Sequence, residues 1–147
     1  MRHFLFVLLF IFSTQSFADL RGKGIICIGE NKGKSVTDSI VIGWFIEDDN
    51  TGTYYGLERG VASELYAVRV LSANHTVIVE PEEIYLGGSL HILNRKSLEL
   101  KYGHMEEDDI LAKCKAYDTK KVFLEELDIQ KNKEQKIYNK KLEGNKI

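Results

Sequence analysis

Two cysteines, Cys27 and Cys114, are the only thiols in a chain of 147 residues. In an oxidising compartment an even, minimal pair most simply forms one disulfide. Two buried free thiols, or a two-cysteine share of a metal site, are the alternatives, but there is no CxxC spacing and no histidine close in sequence to either cysteine. A bond between residues so far apart would remove about 4–5 kcal/mol of chain entropy from the unfolded state.

Carboxylates come next. Glu47, Asp49 and Thr51 alternate, Gly52 supplies a sharp turn, and Glu58 falls where a calcium loop places its bidentate carboxylate. The match is partial, since Glu stands for the first Asp and Thr51 for an Asp or Asn, and the flanks read as strands rather than helices. His104, Glu106, Glu107, Asp108 and Asp109 form the densest acidic cluster. Consecutive residues of one loop seldom converge on one ion, so this cluster reads as solvated charge. His75, His91 and His104 show no zinc-type spacing. Gly29-Glu30-Asn31-Lys32-Gly33-Lys34-Ser35 has three residues between its glycines where a phosphate loop needs four. It also leads into a strand rather than a helix, so it reads as a polar hairpin. No GxSxG elbow is present. A hydrolase would have to draw its acid and base from Glu47, Asp49, Glu58 and the His104–Asp109 loop, with split pKa values. No cofactor is implied.

The chain that must position these groups begins with Arg2 and His3, nine unbroken apolar residues from Phe4 to Phe12, and Ser16-Phe17-Ala18. That order is the pattern of an export signal cleaved after Ala18, and nine apolar residues are too few to span a bilayer, which needs about 20. Residue 19 is Asp rather than Cys, so no lipid anchor is implied. The expectation is a signal peptide at 1–18, a β domain at 19–118 and a charged C-terminal helix or tail at 119–147, periplasmic or secreted. Hydrophobic residues make up 44% of the chain and charged residues 29%, enough to bury a core, while a net charge of -2 argues against a dedicated nucleic-acid binder.

From Lys23 to Tyr117 short apolar runs alternate with turn signals every eight to twelve residues, which predicts a small antiparallel barrel or sandwich. The expected strands are Lys23–Ile28, Ser39–Glu47, Thr53–Leu57, Glu64–Leu71, Thr76–Glu80, Ile84–Leu86, Ser89–Leu93, Ser97–Tyr102 and Ile110–Tyr117. A turn at Ser72–His75 separates the fourth from the fifth. Ser39–Glu47 is the most hydrophobic, and Gly43 within it marks a bulge or a close approach. Leu98, Leu100 and Tyr102 share one face of the clearest alternation. Beyond Asp118 the composition turns lysine-rich. Asp118 or Thr119 can cap a helix whose first turns carry Val122, Phe123 and Leu127, and the apolar stripe fades from Gln130, so the helix is expected to dock at its start and run into solvent.

Asp19-Leu20-Arg21-Gly22-Lys23-Gly24 leading to Cys27, then Leu93-Asn94-Arg95-Lys96-Ser97-Leu98-Glu99-Leu100, then Cys114, resembles a group of small exported β-rich proteins of marine bacteria with one cysteine pair. The resemblance implies export and β-structure. The chain is more faintly similar to periplasmic lysozyme inhibitors of the small β-barrel type, which join terminal strands by a disulfide, but their Ser-Gly-x-x-Tyr inhibitory loop has no match here. The reading reached from the sequence is a monomeric, exported, non-enzymatic binding module. Its partner is a small ligand or an envelope protein, with no nucleic acid and no integral membrane segment after cleavage. Trp44, Phe45, Tyr54, Tyr55, Tyr66 and Tyr85 are the aromatic candidates for a binding surface. The alternatives are the carboxylate hydrolase, an inhibitor, or a structural interaction protein of the envelope.

Overall fold

The computed structural model describes residues 20–30, 39–59, 68–103 and 112–144. Eight strands follow one another: β1 Lys23–Glu30, β2 Ser39–Ile46, β3 Thr51–Arg59, β4 Val68–Val79, β5 Glu83–Leu86, β6 His91–Asn94, β7 Glu99–Tyr102 and β8 Ala112–Tyr117. One helix, α1, covers Lys120–Gly144. Each strand pairs antiparallel with the next and β8 returns to β1, so the sheet closes into an up-and-down barrel. Closure leaves no edge along the sheet as a whole, and of the two expected architectures the barrel is the one formed.

The closing seam carries the disulfide. Cys27 on β1 lies directly opposite Cys114 on β8, and the two are bonded. Cys27 is fully buried inside the barrel beside Ile25, Ile42, Trp44 and Leu100.

β2 is apolar throughout because both of its faces are covered. Ile42, Trp44 and Ile46 point into the barrel, while Val41 and Phe45 face outward against Phe123 and Leu127 of α1. Gly43 pairs in unbroken register with Ile26 and Tyr55, so there is no bulge. It is a close approach: a Cβ there would stand 3.0 Å from the Phe123 ring.

Two sequence expectations are corrected. Ser72–His75 is not a turn, because Val68 to Val79 runs as one strand paired to β3 over most of its length, from Thr76 opposite Thr51 to Val68 opposite Arg59. Its small and polar residues sit on a stretch that pairs with β3 but not with β5, whose register covers only Val77–Val79. Solvent contact, rather than chain reversal, explains the polarity. Leu98 does not open the seventh strand. Asn94 Oδ1 accepts hydrogen bonds from the Lys96 and Ser97 amides, the Leu98 amide donates to the Asn94 carbonyl, and Leu98 takes a left-handed φ of 54°. That turn chemistry outweighs the period-two pattern.

Thr119 caps α1, its hydroxyl accepting the Val122 amide at 3.3 Å. Phe123 and Leu127 are buried against β1 and β2, whereas Val122 is 47% exposed. The docked face does not end at Leu127. Gln130 and Glu134 follow on it and are buried, and Gln135 Oε1 accepts the Val68 amide at 2.7 Å. The stripe continues in polar residues, which hydropathy does not register. The apolar N-terminal segment, expected to be an export signal, lies outside the described residues, and among those described no helix is long and apolar enough to cross a membrane.

Candidate functional site

The two ends of the barrel differ. At one end the β2–β3 turn is held by Asp48, whose Oδ1 accepts the Asn50 and Thr51 amides. These bonds keep the Asp48 carboxyl below its usual pKa. The Val77 amide donates to the Asn50 carbonyl, the Gly22 amide to the Ile46 carbonyl, and Arg95 to the Glu80 carbonyl. Leu20 is buried among the core residues. Hydrogen bonds to backbone groups, from both main chain and side chains, thus stitch this end shut.

Toward the opposite end the interior changes from aliphatic to aromatic. Strand alternation aims Trp44 of β2, Tyr54 of β3, His91 of β6 and Tyr102 of β7 at one region, with the exposed His75 of β4 at its rim. The Trp44 ring lies 5.3 Å from Tyr54, 5.8 Å from His75 and 6.0 Å from His91, centroid to centroid. His91 stacks at 5.0 Å on Tyr102 and at 6.2 Å on Tyr54. The register accounts for this, since Trp44 is opposite Tyr54, and Leu86, His91 and Tyr102 are successive partners. Gly87, at φ 66°, brings the β5–β6 turn so close that a Cβ would meet Trp44 at 3.3 Å.

His91 is 2% exposed, and among the described residues neither of its ring nitrogens has a hydrogen-bond partner, nor has the Trp44 indole nitrogen. Burial first, and then the charge of His75, lower the His91 pKa to about 4. At neutral pH the imidazole is therefore uncharged and presents one donor and one acceptor to the barrel interior. Tyr54 is pushed above its ordinary pKa by burial and, secondarily, by Tyr102.

A consequence for stability follows. The unfolded chain holds a proton on His91 below pH 6.5, and the folded chain only below about 4. Between these values the unfolded state binds more protons, so stability falls as pH drops through the window, by about 2–3 kcal/mol at pH 4.5. Urea unfolding at pH 7 and at pH 4.5 should show this loss in the wild type, and a smaller loss in His91→Phe. Equal acid sensitivity in the two chains would refute the assignment.

Beside the aromatic cluster a cavity of about 220 Å³ opens. Ile40, Ile42, Tyr54 and Tyr102 line it from the interior, and Val41, Leu57, Val68 and Glu134 from the side covered by α1. It exists because β2 and β3 part company: their pairing ends at Ile42 opposite Gly56, although β2 begins at Ser39 and β3 continues to Arg59.

The residues singled out from the sequence are scattered. Glu47 Oε1 takes the Lys120 ammonium at 3.4 Å, and the Thr53 hydroxyl lies 3.2 Å from it and 3.0 Å from Asn74 Oδ1. Asp49 pairs with Arg21 at 3.5 Å. Glu47 and Thr51 border a shallow depression of about 430 Å³ with Asn74 and His75. Glu58 sits seven residues further along β3 than Thr51, about 23 Å at 3.3 Å per residue. The four candidate calcium ligands therefore do not share one point, and among the described residues no group of three or more His, Cys, Asp or Glu could hold a metal ion. The His104–Asp109 loop and Tyr66 lie outside the described residues. Of the aromatic candidates, Trp44 and Tyr54 enter the cluster, while Phe45 and Tyr55 pack outside it against Phe123. Tyr85 donates to Glu83 Oε2 at 3.0 Å.

His75, His91 and Tyr102 are the members that the sequence reading does not select as binding residues. The only signal for them is phase. His91 alternates with Leu93, and Tyr102 with Leu100, in apolar positions of their strands.

Compared with protein-family models, curated proteins and solved structures, the chain matches none.

Proposed function

We propose that the protein is an exported, non-enzymatic binding barrel that holds one small ligand with both apolar and polar parts in the cavity beside Tyr54 and Tyr102. An eight-stranded barrel has an interior that side chains just fill, or that admits one small ligand. The single observation that carries the reading is the cavity of about 220 Å³ continuous with the aromatic cluster. For scale, a protein cavity of about 150 Å³ accommodates benzene. An apolar wall with a few polar groups that fix orientation is the usual make-up of a small-molecule site. Here the tyrosines supply hydroxyls, and the neutral His91 and the Trp44 indole lie next to them. The Cys27–Cys114 bond supports work in an oxidising compartment, periplasmic or extracellular. Catalysis finds no comparable support, because Glu47 and Asp49 are engaged with Lys120 and Arg21 rather than facing each other across a cleft.

The chain has one tryptophan, and its ring touches the Tyr54 ring that lines the cavity. Titration with 2-phenylethanol should therefore change Trp44 emission saturably with a stoichiometry of one. Ile40→Phe, which places a ring in the cavity, should weaken that binding at least tenfold while leaving a cooperative thermal transition. A linear, unsaturable response identical in the two chains would remove the reading.

A further inference from the structure

We propose that the open edge of β4 pairs with the same edge of a second copy of this chain, giving an antiparallel dimer whose twofold axis passes through Ser72, in place of the monomer expected from the sequence. The inference is independent of the ligand cavity. It starts from how little of β4 the barrel covers. The strand runs from Val68 to Val79 and pairs with β3 from Val68 to Thr76, but it pairs with β5 only at Val77–Val79. Every residue from Arg69 to Thr76 is exposed.

The hydrogen bonds at the two ends of this stretch tell which backbone groups face the open side. The Val77 amide donates to the Asn50 carbonyl, on the β3 side. By the alternation of an antiparallel pair, His75, Ala73, Leu71 and Arg69 also direct their N–H and C=O groups to β3, and the residues between them direct theirs away. Two of the outward groups are taken: the Thr76 carbonyl accepts the Gly87 amide, and the Val68 amide donates to Gln135 Oε1 at 2.7 Å. Between those ends Val70, Ser72 and Asn74 present N–H and C=O groups that meet no partner among the described residues. Such an edge is a template for another strand, and proteins usually blunt it with lysine, proline or a bulge. Val70-Leu71-Ser72-Ala73-Asn74 carries no charge, no proline and no glycine, and its register with β3 is unbroken. Val70 is 38% and Leu71 49% exposed, which leaves apolar surface for a partner to cover.

The geometry of the stretch selects the occupant. The occupied groups at Val68 and Thr76 stand at equal distances along the chain from Ser72, so the free stretch is its own antiparallel complement. With Ser72 opposite its counterpart, Val70 falls opposite Asn74 of the second copy and Leu71 opposite Ala73. The pairs formed by Val70, Ser72 and Asn74 are then the hydrogen-bonded ones, each exchanging two bonds, and no charged side chains meet within them. An unrelated partner would have to bring an open strand of matching length, whereas a copy always supplies one. The contact is short, so the dimer is of the weak kind that dissociates on dilution.

The test is sedimentation velocity on the disulfide-bonded protein over a wide concentration series, with amide hydrogen exchange at both ends of the series. The expected result is a reversible shift from the mass of one chain to twice that mass. Exchange at Val70, Ser72 and Asn74 should slow at high concentration, while Leu71 and Ala73, already bonded to β3, change little. Ser72→Pro removes the central outward N–H from both copies without touching a β3 bond, and Ser72→Lys sets two ammonium groups opposite each other. Each should weaken the dimer at least tenfold and leave a cooperative thermal transition. If Ser72→Pro does not fold, Ser72→Lys and the exchange pattern decide the question. A chain that stays single at every concentration would overturn the proposal. So would a dimer that ignores Ser72→Lys, or one that leaves exchange at Val70, Ser72 and Asn74 unchanged.

Discussion

Removing the Cys27–Cys114 bond should lower the thermal midpoint by about 12–25 °C. The estimate begins with the sequence separation of 87 residues between the bonded cysteines. Tying such a loop removes about 4–5 kcal/mol of conformational entropy from the unfolded chain. For a domain of this size each kcal/mol moves the midpoint by about 3–5 °C. The loss is a large part of a typical folding free energy of about 5–15 kcal/mol. The position of the bond adds to the case. It joins β1 to β8, the pair of strands most distant in sequence and the last that must meet to close the barrel. Cys27→Ala with Cys114→Ala also leaves a small void at a fully buried site, so the oxidised wild type should be compared with the reduced wild type as well as with the double variant. A fall below about 5 °C in both comparisons would show that closure does not depend on the bond.

The second large effect is expected at Phe123. Its ring is fully buried between α1 and the outer faces of β1 and β2, touching Phe45 and Tyr55 at centroid distances of 6.0 Å and 5.2 Å. Two glycines make the seat. A Cβ on Gly24 would lie 2.3 Å from the ring, and one on Gly43 3.0 Å from it. Phe123→Ala should therefore cost about 3–5 kcal/mol in urea unfolding, the usual range for emptying a buried phenylalanine site. Gly24→Ala should also destabilise, because the ring must move away from the new methyl group. The two changes share one space, so their combination should be less harmful than the sum of the single effects by at least about 0.5 kcal/mol. Strict additivity would show that Gly24 and Phe123 are not packed as described. Leu127 extends the same contact by one helical turn, and its truncation should act in the same direction.

Much of the architecture was legible in the chain, and the reason is local. Period-two alternation, turn residues at regular spacing and a lysine-rich segment after Asp118 are properties of neighbouring residues, so they define strands, turns and a terminal helix without knowledge of what packs where. The cysteine pairing was legible too, because a chain with only two thiols permits one bond. Ser39–Glu47 stood out as the most hydrophobic expected strand, and the structure shows why, since β2 is covered on both sides. Where local signals competed, the sequence misled. Asn74, beside Ser72 and Ala73, suggested a reversal but belongs to an exposed stretch of a long strand. Leu98 matched the alternation but belongs to the Asn94 turn.

The candidate site was not legible, because its members come from five strands and a helix. Trp44, Tyr54, His75, His91 and Tyr102 span most of the barrel in sequence, and no motif spacing links them. They meet because barrel closure and register superimpose inner-face positions of strands remote from one another. The same closure turned His91, one of four histidines in the chain, into a buried neutral imidazole. Glu134 was hidden for a different reason. Hydropathy marks the end of an apolar stripe at Leu127 and takes Glu134, seven residues on, for solvated surface. Only the line of α1 across the separation of β2 and β3 carries that carboxylate into the cavity wall. Local chemistry thus determined the elements and their covalent tie, while long-range register and helix docking decided which side chains share one space, because proximity in a closed sheet depends on strand order and not on spacing along the chain.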